Sequence, residues 1–314
     1  MPAAERGSAG WSSRSVGSRL QHRIFYLLIG LGGRRPAYAL LYLVVLYYVL
    51  FRPSLRRRSY PYLRRRFPRQ PPRLVDSFRM SLALGQVLVD RATVGILGPA
   101  ALRVGLEGRK ELIDLVAEGR GLILMTAHVG CWQVAMSAFD FLQAPVNLLL
   151  QREDGDIDRH YFEHAGIESP YRIIDPRGFL GGTLEMIAAL KRGEVLSVMG
   201  DRMLGNDRNG IEADFLGAPV RFPYSAYKLA SATGAPVAIL LSAKTGPDVY
   251  ALRLCSVLRV PAGLGRKAAD FAPFAARFAE ILEQYCGEHP YQFFNFFDLW
   301  EPSPASPANA RSRK

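Results

Sequence analysis

His128 and Gln133 are the side chains whose types and spacing most plainly support chemistry. An imidazole has an ordinary pKa of about 6.5, so it can take and return a proton near neutral pH. His128 follows the apolar run Gly121-Leu122-Ile123-Leu124-Met125-Thr126, which reads as a buried strand, and Gly130 starts the turn into the next segment. In an open α/β sheet, ligands bind in the crevice beyond the strand carboxyl ends. On one helix, residues 128 and 133 would point apart. With His128 in the loop and Gln133 in the first turn of a helix over Trp132–Leu142, the amide can fold back onto the imidazole as a capping side chain does. A hydrogen-bonded core histidine is the plainer reading of a lone His. The strand, glycine and tryptophan around this one favour a base.

The elements that must position it alternate along the chain. Leu74–Leu97 and Gly108–Glu118 read as helices, and Val146–Leu150, Tyr171–Ile174 and Val195–Met199 as strands. Leu184–Lys191 reads as a helix with Thr183 as N-cap and Glu185 in its first turn. Tyr224–Ala232 follows as a helix, Val237–Ala243 and Tyr250–Val257 as a late strand pair, and Phe271–Cys286 as an amphipathic helix. Strands separated by helix-length segments imply an α/β fold, a mixed sheet flanked by helices on both faces. The Gly-rich Gly178-Phe179-Leu180-Gly181-Gly182-Thr183 lacks the Gly-Lys-Ser/Thr of a phosphate loop and reads as a loop entering a helix.

The formal net charge of +12 would suit a nucleic-acid partner if it lay on the folded body, but it does not. Residues 1–73 hold fifteen arginines against the single acid Glu5, while 74–310 holds 22 basic and 27 acidic residues. The body is therefore mildly acidic. The arm has two parts. From Ile24 the chain is apolar, and Ala37 through Phe51 carries no charge. Tyr38, Tyr42, Tyr47 and Tyr48 suit an interfacial position, with ring in hydrocarbon and hydroxyl in water. From Arg52 to Arg73 come nine arginines without an acid, each contributing about 1 kcal/mol beside an anionic leaflet. An apolar run plus a polybasic segment supplies the two signals that lasting membrane attachment needs. A cleaved signal peptide fits poorly, because an Arg cluster and not a small-residue site follows the run.

Cys131, Cys255 and Cys286 are sparse and unpaired in spacing, which reads as reduced thiols on the cytoplasmic side. His160-Tyr161-Phe162-Glu163-His164 matches a zinc-hydrolase pattern, with His160 and His164 as ligands and Glu163 as base. Gly166 and Pro170 cut that helix short and no third ligand stands out, so a solvated helix is expected and no metal.

Thr126-Ala127-His128-Val129-Gly130-Cys131-Trp132-Gln133 resembles the His-x4-Asp/Glu block of the glycerolipid acyltransferase superfamily, and most nearly its late lipid A (lauroyl and myristoyl transferase) branch. Further blocks agree in order: Leu150-Gln151-Arg152, Leu190-Lys191-Arg192-Gly193-Glu194 with Gly200-Asp201-Arg202, Phe215-Leu216-Gly217-Ala218-Pro219 with Phe222-Pro223, and Gly234-Ala235-Pro236-Val237. The ending Pro290-Tyr291-Gln292-Phe293-Phe294-Asn295-Phe296-Phe297-Asp298-Leu299-Trp300 is more like an acyltransferase branch found beside lipid-tailed pigment pathways.

The resemblance implies a glycerolipid acyltransferase-like domain over 74–302, preceded by a loose N-terminus over 1–23 and a membrane anchor with its polybasic segment over 24–73, and followed by a disordered tail over 303–314. It implies an enzyme on the cytoplasmic face of a bacterial inner membrane. Such an enzyme moves an acyl group from an acyl-carrier-protein or coenzyme A thioester to a lipid hydroxyl, with no other cofactor and no nucleic acid. The acceptor would be a lipid A-like glycolipid, a lysophospholipid or a polyene lipid. His128 would be the base, Gln133 its orienter and Arg152 the charge stabiliser. Gly130, Trp132, Asp201, Arg202, Phe215, Gly217 and Pro223 would contact substrate. The family has a carboxylate where this chain has Gln133. Either the amide selects the tautomer alone, or another carboxylate such as Asp201 serves His128, or the fold is an inert membrane or carrier-protein adaptor.

Overall fold

The computed structural model describes residues 19–131, 140–151, 171–203, 209–265 and 267–301. A seven-stranded sheet forms its centre: β1 (Arg103–Glu107), β2 (Leu122–Thr126), β3 (Val146–Leu149), β4 (Tyr171–Ile174), β5 (Val195–Met199), and β8 (Val237–Lys244) with β9 (Val249–Leu258). Between β5 and β8 a separate antiparallel hairpin, β6 (Gly210–Phe215) and β7 (Ala218–Pro223), turns at Leu216 and Gly217, both with φ above +45°. That is the conformation a two-residue hairpin turn requires. The main sheet is ordered β1-β9-β8-β2-β5-β3-β4. It is parallel except where β9 runs antiparallel to β8. The mixed sheet expected from the sequence is therefore present, with the late strand pair as its antiparallel part.

Alternate side chains of β2 divide the core, as the strand period requires. Leu122 and Leu124 pack with Leu112 and Leu115 of α5 (Arg109–Ala117) on one face. Ile123 and Met125 pack on the other with α6 (Thr183–Lys191), α7 (Ser225–Thr233) and α8 (Ala272–Glu288). Helices thus cover both faces, and a parallel strand buried on both sides is apolar throughout. Thr183, the expected N-cap, is instead the first residue of α6. Gly182 holds the cap position, and the Thr183 hydroxyl donates to the Leu180 carbonyl at 2.6 Å.

Among the described residues four α-helices precede β1: α1 (Arg19–Gly32), α2 (Arg34–Phe51), α3 (Pro53–Arg66) and α4 (Leu74–Leu97). Helices α2 and α4 are both long and apolar enough to cross a membrane, but they differ in burial. Helix α4 buries ten of its 24 residues, whereas α2 buries only the stripe Ala37, Leu41, Val45 and Val49. Its other faces expose Tyr42, Leu43, Leu46, Tyr47, Leu50 and Phe51.

The polybasic stretch is itself helical, with Pro53 at its first position, where proline fits, and Pro61 inside it. Tertiary contacts hold α3 in place. Tyr62 is fully buried, donates to the Pro290 carbonyl at 2.8 Å and meets Phe293 edge-on. Arg66 donates to the Cys286 and Gly287 carbonyls at 2.6 and 2.9 Å, where a cation complements the negative end of α8. Arg65 lies over the Trp300 ring at 4.3 Å.

Candidate active site

Strands β2 and β5 are parallel neighbours with Thr126 opposite Met199. Two residues past each of those partners stand His128 and Asp201. Equal extension beyond a parallel pair sets two side chains beside each other on one face, and here they touch. Asp201 presents Oδ1 and Oδ2 at 2.9 and 3.0 Å to His128 Nδ1. An ionised carboxylate is acceptor-only, so Nδ1 carries the hydrogen, and in the neutral form of the ring Nε2 then carries the lone pair. The His128 side chain is 25% exposed and the Asp201 side chain is fully enclosed. Burial alone would raise the Asp201 carboxyl. Attraction to His128, its hydrogen bond and the charge of Arg202 outweigh that and hold it below the usual carboxylate value.

Arg202 follows directly and is itself buried. Its Nε lies 3.4 Å from Asp201 Oδ2, its Nη2 donates to the Phe294 carbonyl, and its guanidinium sits 5.1 Å over the Phe297 ring. Burial pulls its pKa down to about 10 against the pull of Asp201, which leaves it charged at neutral pH.

The loop carrying His128 is clamped by the aromatic segment near residue 293. Val129 and Phe293 form an antiparallel bridge, Phe294 N–H donates to the His128 carbonyl at 2.8 Å, and Gly130 N–H donates to the Gln292 carbonyl at 3.2 Å. Gly130 has φ +50°, and a Cβ there would overlap the Ser242 carbonyl. Only glycine lets the loop pass so close to β8. The Gln292 side chain in turn pairs with both backbone groups of Lys244, at 2.8 and 2.9 Å, as an extra strand residue would. Asn295 is fully buried, and neither atom of its carboxamide has a hydrogen-bond partner among the described residues. In the sequence this segment stands out only through its resemblance to an acyltransferase branch. The one polar residue within Phe293-Phe294-Asn295-Phe296-Phe297 was the available signal.

The other residues singled out from sequence separate into groups. Gln133, Trp132 and Arg152 lie outside the described residues, as do His160, Glu163 and His164. Phe215 is fully buried, stacked on Trp300 at 5.8 Å and edge-on to Phe222 and Phe293. It belongs to the packing beneath the loop. Gly217 is exposed in the hairpin turn, and Pro223 ends β7 opposite Gly210.

The arrangement defines a class. A histidine at the carboxyl edge of a mixed sheet, with its tautomer fixed by a buried carboxylate, is equipped to take a proton from an incoming nucleophile. Residues 76–301, well over half of the chain, match the bacterial lipid A biosynthesis acyltransferase family, and the chain belongs to that family. It is thus an acyltransferase acting on lipid substrates. No curated protein matches it.

Proposed function

We propose that the enzyme transfers a fatty acyl group from a carrier-protein or coenzyme A thioester to a hydroxyl of a lipid A-like glycolipid, with His128 as general base. The observation that carries this reading is the His128–Asp201 pair at 2.9 and 3.0 Å, with the carboxylate wholly enclosed. Nε2 takes the hydroxyl proton as the oxygen attacks the thioester carbonyl. The new C–O bond forms, the C–S bond breaks, and the imidazolium returns its proton to the departing thiolate. Asp201 stabilises that imidazolium and so supplies the negative charge that Gln133 lacks. Asp201 is a positioning residue here, and Arg152 remains the proposed stabiliser of charge on the carbonyl oxygen.

The reaction brings a water-soluble donor to a lipid acceptor, so the protein works at a membrane. The exposed apolar face of α2, Tyr42 to Phe51, and the exposed arginines of α3 support attachment to the cytoplasmic face of the inner membrane. Membranes containing the protein, supplied with a labelled acyl thioester and a glycolipid acceptor, test the reading. Label moves to the glycolipid with the wild type and not with His128→Ala. Undiminished transfer by His128→Ala overturns the mechanism.

A further inference from the structure

Strands β2, β5, β3 and β4 are mutually parallel and end at the same rim of the sheet. His128 and Asp201 stand on that rim beyond β2 and β5. The edge strand β4 lies three spacings from β2, about 14 Å away, and leaves the sheet through Asp175-Pro176-Arg177-Gly178-Phe179-Leu180-Gly181-Gly182. Phe179 is 78% exposed, Leu180 61%, and Leu184 in the first turn of α6 55%. Three large apolar side chains therefore stand together in solvent beside the active-site rim.

Their display is built. Leu180, Gly181 and Gly182 have φ of +50°, +66° and +71°, three left-handed residues in a row. For leucine that conformation is unfavourable and persists only where the surroundings impose it. Here they do. Gly178 N–H donates to the Asp175 carbonyl and Gly181 N–H to the Gly178 carbonyl, each at 3.0 Å. Arg177 N–H donates to Asp175 Oδ1 at 2.8 Å, and Thr183 holds the Leu180 carbonyl at 2.6 Å. A Cβ on Gly182 would come within 2.6 Å of Ile174 Cγ2, which fixes the turn against the end of β4. The turn is stiff, and its apolar side chains point outward.

On the other flank of His128, β8 adjoins β2. Lys244, the last residue of β8, donates to Asp90 Oδ2 of α4 at 2.6 Å, and Tyr38 of α2 donates to Asp90 Oδ1 at 2.6 Å. The helix with the exposed apolar face is thus fastened at the opposite side of the same rim. Charge also separates the candidate occupants. The Arg177 guanidinium is bound by Asp175 through Nε and Nη2, at 2.8 Å for the shortest contact. This leaves no net positive charge at the turn for an acidic protein to read.

We infer that the Phe179–Leu180 turn is a second membrane contact, which dips into the bilayer surface and, together with α2, holds the rim bearing His128 against the lipid. The inference rests on the membrane reading given above and adds to it where the enzyme touches the bilayer and which way its active site faces.

Tryptophan reporters in the full chain test it, with vesicles of phosphatidylglycerol and phosphatidylethanolamine carrying brominated acyl chains. Emission is read as the increment over wild type for Phe179→Trp and, separately, for Leu46→Trp on α2. Both increments shift to the blue and are quenched if the inference holds. Quenching of the α2 reporter without the turn reporter overturns the inference and leaves the anchor standing. Quenching of neither overturns both. A turn reporter that responds to acyl carrier protein and not to vesicles makes the turn a protein-docking site and also overturns it. The double variant Phe179→Ser/Leu180→Ser should keep the wild-type melting temperature and lose vesicle partition about tenfold. It should turn over bilayer-embedded acceptor more slowly than the wild type while matching it on detergent-dispersed acceptor. Unchanged partition and turnover on vesicles contradict the proposal.

Discussion

The rim around His128 and the helix pair α1–α2 are both apolar in sequence, yet they are held by different physics. Around His128 the described loop is tightly held. Asp201 is fully enclosed, Gly130 lies against the Ser242 carbonyl, and the loop is pinned to Gln292 and Phe294 by backbone hydrogen bonds. In α2 a four-residue stripe is packed and the remaining apolar surface faces outward. Chemistry needs the first kind of construction, because a base misplaced by about 1 Å loses much of its effect. Attachment to a fluid lipid surface needs only the second. The two regions meet at Asp90, which accepts hydrogen bonds from Tyr38 of α2, Lys244 of β8 and Tyr250 of β9, each at 2.6 Å.

If that division is right, substitutions should sort by region. The largest effect falls at the rim. Gly130→Ala must push the loop off β8, and acyl transfer should fall at least a hundredfold, in keeping with displacement of a positioned base. Structural change should stay confined to the loop, and unchanged kinetics would show that the close approach to Ser242 is immaterial. Next comes the junction. Asp90→Ala leaves the Lys244 ammonium without its enclosed partner and should cost about 3–5 kcal/mol of unfolding free energy, read by denaturant titration. A loss below 1 kcal/mol would mean that the helices and the sheet are not joined there.

Smaller again is the docking of α3. Arg66→Ala removes charged hydrogen bonds to two carbonyls of α8 and should cost about 1.5–3 kcal/mol, with vesicle binding nearly unchanged. Loss of vesicle binding without loss of stability would instead put Arg66 among the lipid-facing charges. On α2, Leu43→Ser/Leu46→Ser should leave stability within about 0.5 kcal/mol, as exposed substitutions do, while weakening flotation with vesicles. The smallest effect is acid sensitivity. The Asp201 carboxyl is held below its unfolded value of about 3.9. Its contribution to stability is therefore complete above that value and is lost as pH falls through the lower folded one. Asp201→Asn should show a flatter decline in stability below pH 4, and an identical slope would mean that the carboxylate is not held in this way.

Much of this was legible in the chain, for definable reasons. β2, β5 and β8 are largely apolar runs because both faces are covered, and such runs announce themselves. β1 does not. Its Arg103-Val104-Gly105-Leu106-Glu107 is half exposed at the sheet edge, with a glycine at its centre and charges at its ends. α3 was hidden because Pro61 lies inside it and removes a helical hydrogen bond, a local cost that the buried Tyr62 and Leu63 override, while Pro53 at the first position and the arginines are compatible with a helix. At the site, His128 was readable from its place after a strand, and Asp201 could be named as a possible partner. Their contact was not readable, because it joins residues 73 apart through the register of two strands that are adjacent only in the folded sheet. The clamp by Gln292 and Phe294 was missed for the same reason, since an aromatic-rich segment looks the same whether it packs on a core or on a catalytic loop.

If His128 and Asp201 act as one unit in acyl transfer, their removal must not be additive. The most direct measurement is kcat/KM for the wild type, His128→Ala, Asp201→Asn and the double variant with one thioester and one glycolipid. Loss of the carboxylate alone should cost up to about 10⁴-fold, the size of the loss when a histidine-orienting carboxylate is replaced by its amide in a serine protease triad. Loss of the imidazole should remove measurable transfer, and the double variant should be no worse than His128→Ala. Full activity in His128→Ala, or Asp201→Asn indistinguishable from the wild type, would show that the pair does not carry the reaction.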